Sequence, residues 1–151
     1  MDSDDNLWKG VNITNSFWYA PGWSQIADPD LTINGTQYTL KFPEATTDQW
    51  QCQCNFLTDD LTTSAAEKYD FRVNIRSNTE FMGATVKFVQ HGDDENFLFA
   101  PRVKLLAKDN VFTMVNVDGK DISQAKIVFD FGGNPANTEI VIKDIILQKH
   151  R

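Results

Sequence analysis

Residues Thr47–Leu57 read TDQWQCQCNFL, a stretch whose two faces differ in polarity. Side chains alternate across a β-strand, so its apolar residues share one face and its amides share the other. The apolar set is Trp50, Cys52, Cys54 and Phe56, and the amide set is Gln51, Gln53 and Asn55. Such a strand fits a β-sandwich in which one face joins the core and the other lines a surface suited to a neutral, hydroxyl-rich ligand.

The same alternation predicts strands along the rest of the chain. Residues 68–77, KYDFRVNIRS, place Tyr69, Phe71, Val73 and Ile75 on one face. In residues 31–42, LTINGTQYTLKF, the Asn34-Gly35 pair predicts a two-residue hairpin turn. The inward-facing residues of this hairpin are then Tyr38, Leu40 and Phe42. Further strands are predicted at about 11–19, 84–90, 96–106, 111–117, 125–131 and 138–147.

These nine or ten short strands predict an all-β fold, a two-sheet antiparallel β-sandwich of the jelly-roll type. Helical tendency is confined to residues 60–68, which read equally well as a loop. The length of 151 residues and the lack of an internal repeat predict one domain, residues 1–151.

The charge of the chain narrows the choice of partner. The formal net charge is −7, and the 14 basic residues are scattered rather than clustered, which argues against a nucleic-acid partner. The chain has no apolar run of about 18 residues, and its opening MDSDDNLWKG lacks the regions of a signal peptide. We therefore expect no membrane insertion.

The two cysteines are predicted to be buried thiols. Cys52 and Cys54 are one residue apart on the same strand face, where a disulfide would be strained. Only His91 and His150 could complete a metal site with them, so zinc ligation is not expected.

Catalytic signals are weak in this sequence. The acidic runs Asp59-Asp60 and Asp93–Glu95 fall in predicted loops, where carboxylates are usually solvated. The string DFGG, residues 130–133, is interpreted as a strand end followed by a glycine turn. No GxSxG motif occurs. We therefore predict a protein that is not an enzyme.

Aromatic and amide side chains supply the stronger signal. Trp18, Tyr19 and Trp23 surround a break at Ala20–Gly22, where loop display is natural, whereas Trp8 beside the first strand is expected to be structural. Flat rings offer a platform for sugar rings, and amides can both donate to and accept from hydroxyls. The candidate amides are Gln51, Gln53, Asn55 and Gln90. The alternative is that Trp50 belongs to the core and the amides merely face water.

Four segments together resemble the family 4 carbohydrate-binding modules, especially those joined to family 10 xylanases of gut Bacteroidetes. They are NLWKG…FWYAPGW, PEAT…QWQCQ, VFDFGGN and NTEIVIKDIIL, and they span most of the chain. The resemblance implies a non-catalytic jelly-roll module that holds a β-1,4-linked plant polysaccharide in a cleft. Xylan is the preferred ligand in this interpretation, and mixed-linkage β-glucan is the alternative.

The resemblance also implies roles for individual residues. Trp50 is similar to the aromatic that stacks on a sugar ring, and Gln53 to a polar partner that is an acid in some members. Phe97, rather than Phe99, is interpreted as the second stacking aromatic, followed by the basic Arg102. No cofactor is required, but family members often hold a structural calcium, for which Asp144 is the one well-placed carboxylate.

The combined expectation is a monomeric module, covalently linked to a catalytic domain in a larger bacterial protein that is secreted, periplasmic or on the cell surface. It would target an attached glycanase to its substrate. Two alternatives stay open: a small jelly-roll glycoside hydrolase, which needs two converging carboxylates, and a protein-binding adhesion sandwich, which needs an exposed apolar patch.

Overall fold

A computed structural model describes residues 5–23 and 30–151 of the chain, and eleven β-strands in these ranges form two antiparallel sheets. Sheet A has the order β1 (Thr14–Tyr19), β4 (Cys52–Thr58), β10 (Ala125–Asp130), β6 (Phe81–Gln90) and β7 (Asp93–Phe99), with β8 (Arg102–Leu105) also paired to β6. Sheet B has the order β2 (Asp30–Asn34), β3 (Gln37–Phe42), β11 (Thr138–Lys149), β5 (Lys68–Ser77) and β9 (Asp109–Asp118). The predicted all-β sandwich is confirmed.

The described ranges contain no α-helix, and a 3-10 turn spans Gln49–Gln51. None of the helical structure described there is long and apolar enough to cross a bilayer. The predicted helical tendency of residues 60–68 is not realised, because Thr63 forms a β-bridge with Ile122.

Several strand boundaries differ from the sequence prediction, and three of these differences have a clear cause. The 3-10 turn delays the start of β4 to Cys52, five residues after the predicted start. Pro101 divides the predicted strand 96–106 into β7 and β8, because proline cannot donate a ladder hydrogen bond. The predicted charged loop after β6 is shorter than expected, since β7 already begins at Asp93.

The β2–β3 hairpin is present, but its turn lies one residue later than predicted. Asn34 pairs with Gln37, so the two turn residues are Gly35 and Thr36. Gly35 has a φ of 61°, which suits the first central position of a type II′ turn, where glycine meets no Cβ penalty.

The core lies between the sheets and is rich in aromatic rings. Phe56 of sheet A contacts Tyr38 of sheet B with ring centroids 4.7 Å apart, and Phe71 of sheet B contacts Phe99 of sheet A at 4.6 Å. Burying one large apolar side chain contributes about 1.5–3 kcal/mol, so these pairs are a major source of stability. The predicted inward residues are all buried: Tyr38, Leu40, Phe42, Cys52, Cys54, Phe56, Tyr69, Phe71, Val73 and Ile75.

Both cysteines are free thiols that are fully buried in the core, as predicted. Burial raises the pKa of the Cys52 thiol to about 12, although its hydrogen bond with Thr46 acts in the opposite direction. Burial likewise raises the pKa of Cys54 well above its usual value. Neither thiol therefore carries a charge near neutral pH.

The N-terminal segment is fixed to the last strand. The Leu7 amide donates to the Leu147 carbonyl at 2.7 Å, and the Asn6 side chain donates to the Ile145 carbonyl at 2.9 Å. Trp8, between these contacts and β1, is only 6% exposed, which confirms its predicted structural role.

Candidate functional site

Five outward-facing side chains lie in one line across sheet A. The strand register places Trp18 opposite Gln53, Gln53 opposite Asp130, Asp130 opposite Thr85, and Thr85 opposite Arg102. Their sequence neighbours Cys52, Cys54, Phe129 and Val86 point into the core. We call these five residues the central row. With strands about 4.8 Å apart, the row extends roughly 19 Å, enough for several consecutive sugar rings.

Asp130 lies at the middle of the central row and is nearly buried, with 6% of its surface exposed. Gln53 Nε2 donates to Asp130 Oδ1 at 2.9 Å. Burial raises the pKa of Asp130, while the Gln53 hydrogen bond and the charges of Lys87 and Lys126 partly oppose this rise. The carboxylate is thus a strong hydrogen-bond acceptor in the floor of the row.

Two tryptophans border the central row at one end of the strands. Trp23 closes the turn after β1 and is 61% exposed, and Trp50 in the 3-10 turn is 42% exposed. Their ring centroids are 5.5 Å apart with planes inclined by 55°. We call them the tryptophan pair. The Thr85 hydroxyl donates to Gln49 Oε1, which joins the turn that carries Trp50 to the central row.

Gln51 fixes the tryptophan pair in place from below. Its main-chain carbonyl accepts from the Ala20 amide at 2.8 Å, and its side-chain Nε2 donates to the Ala20 carbonyl at 2.9 Å. Its Oε1 accepts from the Thr47 and Asp48 amides at 2.9 and 2.7 Å. These bonds connect the turn of Trp23 with the turn of Trp50.

Gly132 allows a third loop to support the same turn. A Cβ at this position would lie 1.7 Å from the Asp48 carbonyl oxygen, so only glycine fits. The Gly132 amide donates to the Gln49 carbonyl at 3.0 Å, and the Phe131 amide to the Cys52 carbonyl at 2.7 Å. The interpretation of DFGG as a strand end and a glycine turn is confirmed, since β10 ends at Asp130.

Several predicted site residues lie together on the outward face of sheet A, whereas two others, Gln51 and Tyr19, are buried. Trp18, Gln53 and Arg102 lie in the central row, and Asn55 also faces outward, with Nδ2 donating to Gln53 Oε1 at 3.5 Å. Trp50 is exposed rather than part of the core, because the 3-10 turn comes before the regular alternation of the strand.

The predicted outward orientation of Gln51 is wrong. Its side chain is 1% exposed and binds main-chain groups, because the 3-10 turn ends at this residue before strand alternation begins. The predicted display of Tyr19 is also wrong. Tyr19 is the last residue of β1, opposite Cys52, and its buried hydroxyl accepts from the Glu44 amide at 2.8 Å.

Phe97 and Gln90 lie apart from the central row. Phe97 is 41% exposed opposite Val89, whereas Phe99 is in the core. Val89 is four residues from Thr85 along β6, so Phe97 is about 13 Å from the row. Gln90 contacts main-chain groups, with Oε1 accepting from the Ser123 amide at 3.0 Å.

Sequence reasoning missed Asp130, Thr85 and Lys87 as members of this face. The alternation of AKIVFDF, residues 125–131, carries a signal for Asp130, because it places Asp130, Val128 and Lys126 opposite the buried phenylalanines. Which strands flank β10 could not be read from one sequence, and that neighbourhood brings Thr85 and Gln53 to Asp130.

Asp144 lies in a cleft of about 680 Å³ between the N-terminal segment, the β2–β3 turn and a bulge of β11. Among the residues that the structure describes, it is the only carboxylate that lines this cleft, and Lys9 and Arg72 line it too. Within the described ranges, no three His, Cys, Asp or Glu side chains come together to hold a metal. Calcium prefers several oxygen ligands, so these residues fit the predicted calcium poorly.

Neither a protein-family model nor a curated protein matches this sequence. Solved structures do match its fold. A family 4 carbohydrate-binding module aligns over 82% of this chain and 90% of its own, with 14% identity and a TM-score of 0.64. The second N-terminal cellulose-binding domain of Cellulomonas fimi β-1,4-glucanase C covers 100% and 98%, with 12% identity and a TM-score of 0.65.

A third match is a family 61 carbohydrate-binding module in complex with β-1,4-galactotriose, which covers 99% of this chain and 97% of its own at 10% identity and a TM-score of 0.56. At these identities the likeness establishes a shared fold. The fold of this chain is thus the β-sandwich that carbohydrate-binding modules of several families use.

Proposed function

We propose that this protein is a non-catalytic carbohydrate-binding module that binds a β-1,4-linked plant polysaccharide along the central row. Xylan is the preferred ligand in this proposal, with mixed-linkage β-glucan as the alternative. The observation that carries the proposal is the conjunction of a roughly 19 Å row of polar side chains with an exposed tryptophan pair at its border.

The chemistry of the site suits a neutral polymer rich in hydroxyls. A sugar ring presents C–H groups that pack on an aromatic face, and Trp50, Trp23 and Trp18 offer such faces with little loss of side-chain entropy. Gln53 can donate and accept, and Asp130 accepts from hydroxyl donors. An open, polar binding face of this type should give an affinity between micromolar and millimolar, about −4 to −8 kcal/mol.

A glycoside hydrolase would need a second carboxylate facing the same bond. On the paired outward positions of β1, β4, β10 and β6, Asp130 is the one carboxylate among the described residues. Hydrolysis normally uses two such groups within about 5–9.5 Å. The proposal therefore predicts no release of reducing ends from xylan.

The proposed function also includes attachment to a catalytic domain in a larger protein. Cellulose-binding domains of similar fold belong to a β-1,4-glucanase, as the name of the Cellulomonas fimi domain states. By analogy, this module would keep an attached glycanase on its substrate in a secreted or cell-surface bacterial protein.

Trp50→Ala tests the proposal directly. In affinity gel electrophoresis with soluble xylan, the wild-type protein should be retarded and the variant should migrate as in a gel without polysaccharide. Val115→Ala is the control, because Val115 is 61% exposed on β9 of the other sheet. If circular dichroism shows that both proteins are folded and the gel retards them equally, the tryptophan pair does not contribute to binding. Parallel gels with β-glucan, cellulose derivatives and galactan rank the ligands.

A further inference from the structure

On β1, β4, β10, β6 and β8, the outward face of sheet A carries an excess of positive charge, in a chain whose net charge is −7. The exposed acids of this sheet, Asp93–Glu95, lie on its edge strand β7. Lys87 on β6, Lys126 on β10 and Arg102 on β8 face outward, while the paired positions of β1, β4, β10 and β6 supply one carboxylate, Asp130. Within the described ranges, none of these three cations has a carboxylate within 4 Å. A polymer of neutral sugars needs no such charge.

Lys87 and Lys126 are held on the sheet by two valines. Lys87 is directly opposite Val128, and Lys126 is directly opposite Val89. Both valines face outward, yet they are only 3% and 0% exposed. Opposite residues have Cβ atoms about 5 Å apart, so the aliphatic stems of the lysines lie beside the valines and leave the ammonium groups at the surface.

Both lysines lie on the side of the central row away from the tryptophan pair, with the Lys87 main chain about 7 Å and the Lys126 main chain about 13 Å from the row. Along β10 the order is Lys126, Val128 and then Asp130, with the turn of Trp50 beyond Asp130. A polysaccharide main chain that follows the row would therefore have aromatic rings on one side and ammonium groups on the other. Side groups of the polymer that point away from the tryptophans would reach Lys87 and Lys126.

We propose that the site is specific for a polysaccharide that carries uronate side groups, whose carboxylates pair with Lys87 and Lys126 while the main chain lies on the central row. The proposal rests on the function proposed above and names the class of substrate within it. On the strands that form the central row, Asp130 offsets one of the three cations, which leaves a formal excess of two positive charges beside the row. The acids Asp93–Glu95 lie beyond this region, on β7.

The first test compares two forms of one polymer. Isothermal titration calorimetry is done with a glucuronate-substituted xylan and with the same xylan after its carboxylates have been reduced to primary alcohols. The acidic form should bind roughly threefold to tenfold tighter at low salt, the scale of two partly exposed ion pairs. The preference should shrink in 0.5 M NaCl, because salt screens exposed charges.

The second test uses matched charge variants. The double variant Lys87→Gln/Lys126→Gln should lose the preference for the acidic form and keep its affinity for the reduced form. The control Lys41→Gln/Lys108→Gln removes the same charge at exposed positions on β3 and before β9, and should keep the preference.

Three outcomes overturn the proposal. Equal binding of the two polymers by the wild-type protein would show that carboxylates are not recognised. Full binding of the acidic polymer by Trp50→Ala would show bulk charge attraction without a groove. If the wild-type protein binds neither polymer, the proposed carbohydrate-binding function is refuted, and the proposal of uronate recognition is refuted with it.

Discussion

The two sheets present rows of equal geometry and different chemistry on their outward faces. The central row of sheet A reads Trp18, Gln53, Asp130, Thr85 and Arg102, and a matching row of sheet B reads Thr32, Thr39, Val141, Arg76 and Asp109. Both rows cross five antiparallel strands at the same spacing. Only the side chains distinguish a candidate binding face from an ordinary solvated one.

Aromatic exposure follows the same division. In the described ranges, the exposed aromatic residues are on sheet A or on the turns that flank β1 and β4: Trp18, Trp23, Trp50 and Phe97. Sheet B exposes Val111 and Val115, and two of its lysines form ion pairs, Lys68 with Asp118 and Lys143 with Asp109. The comparison teaches that both sheets supply the same kind of scaffold, and that the proposed function depends on the side chains that one of them carries.

Gly132→Ala should have the largest effect, because it breaks the support of the binding face. The new Cβ would collide with the Asp48 main chain, and we expect a loss of about 3 kcal/mol in the free energy of unfolding, the scale of overpacking in a tight site. Urea unfolding measures this loss, and the polysaccharide affinity gel should show weakened retardation. Gly22→Ala is the control, since no atom lies within 4 Å of a Cβ there. Similar losses in both variants would refute the packing argument.

Gln51→Ala and Gln53→Ala should separate stability from binding in neighbouring amides. Removing the buried Gln51 side chain takes their side-chain partner from the Thr47 and Asp48 amides and one of two donors from the Ala20 carbonyl, which should cost about 2 kcal/mol of stability. Gln53→Ala should cost less stability, about 1 kcal/mol for the hydrogen bond to Asp130, and should weaken ligand binding roughly tenfold, the value of one hydrogen bond of about 1.4 kcal/mol. Urea unfolding and calorimetry check the pair, and the reverse pattern would contradict the assignment of the two faces.

Asp130→Asn should give a smaller, pH-dependent gain in stability. Burial raises the pKa of Asp130 in the folded protein above its ordinary value of 3.8, so wild-type stability falls as the pH rises from about 4 through the folded pKa. The asparagine variant lacks this fall and should be more stable than wild type at pH 7, with the difference closing below pH 4. Thermal unfolding across this range measures it. Asp94→Asn, in the exposed part of β7, controls for the loss of one negative charge.

Lys143→Gln on sheet B should have the smallest effect. Its ion pair with Asp109 spans 3.9 Å between partly exposed groups, and such pairs contribute less than about 1 kcal/mol. Stability should change by less than about 0.5 kcal/mol, and binding to every polysaccharide in the panel should be unchanged. A loss of binding in this variant would indicate that the ligand binds to sheet B, which would contradict the proposed site on sheet A.

The sequence could predict strands whose alternation is regular. β5 matches its predicted bounds, Lys68–Ser77, because four alternate residues from Tyr69 to Ile75 are apolar. The β2–β3 turn was misplaced by one residue, since Asn34-Gly35 and Gly35-Thr36 both satisfy the local turn chemistry and cross-strand pairing decides between them. Local patterns therefore determine elements, and pairing determines their register.

The candidate site could be predicted only in part for the same reason. The Pro-Gly break in the sequence predicted that Trp23 is exposed, and the structure confirms this. Strand alternation also predicted correctly that Gln53 faces outward. Gln51 was misplaced because a three-residue 3-10 turn shifts the alternation. Asp130 was missed because its neighbours Gln53 and Thr85 are far away in sequence and meet it only through strand order.

The buried thiols of β4 have a practical consequence. Cys52 and Cys54 lie next to Gln53, and their raised pKa values keep them unreactive while the sandwich is closed. A thiol-specific reagent can therefore modify them only when the sheets separate. The rate of labelling with such a reagent would report the opening of this domain without any engineered probe, and a bound polysaccharide should slow that rate in proportion to its stabilisation of the closed form.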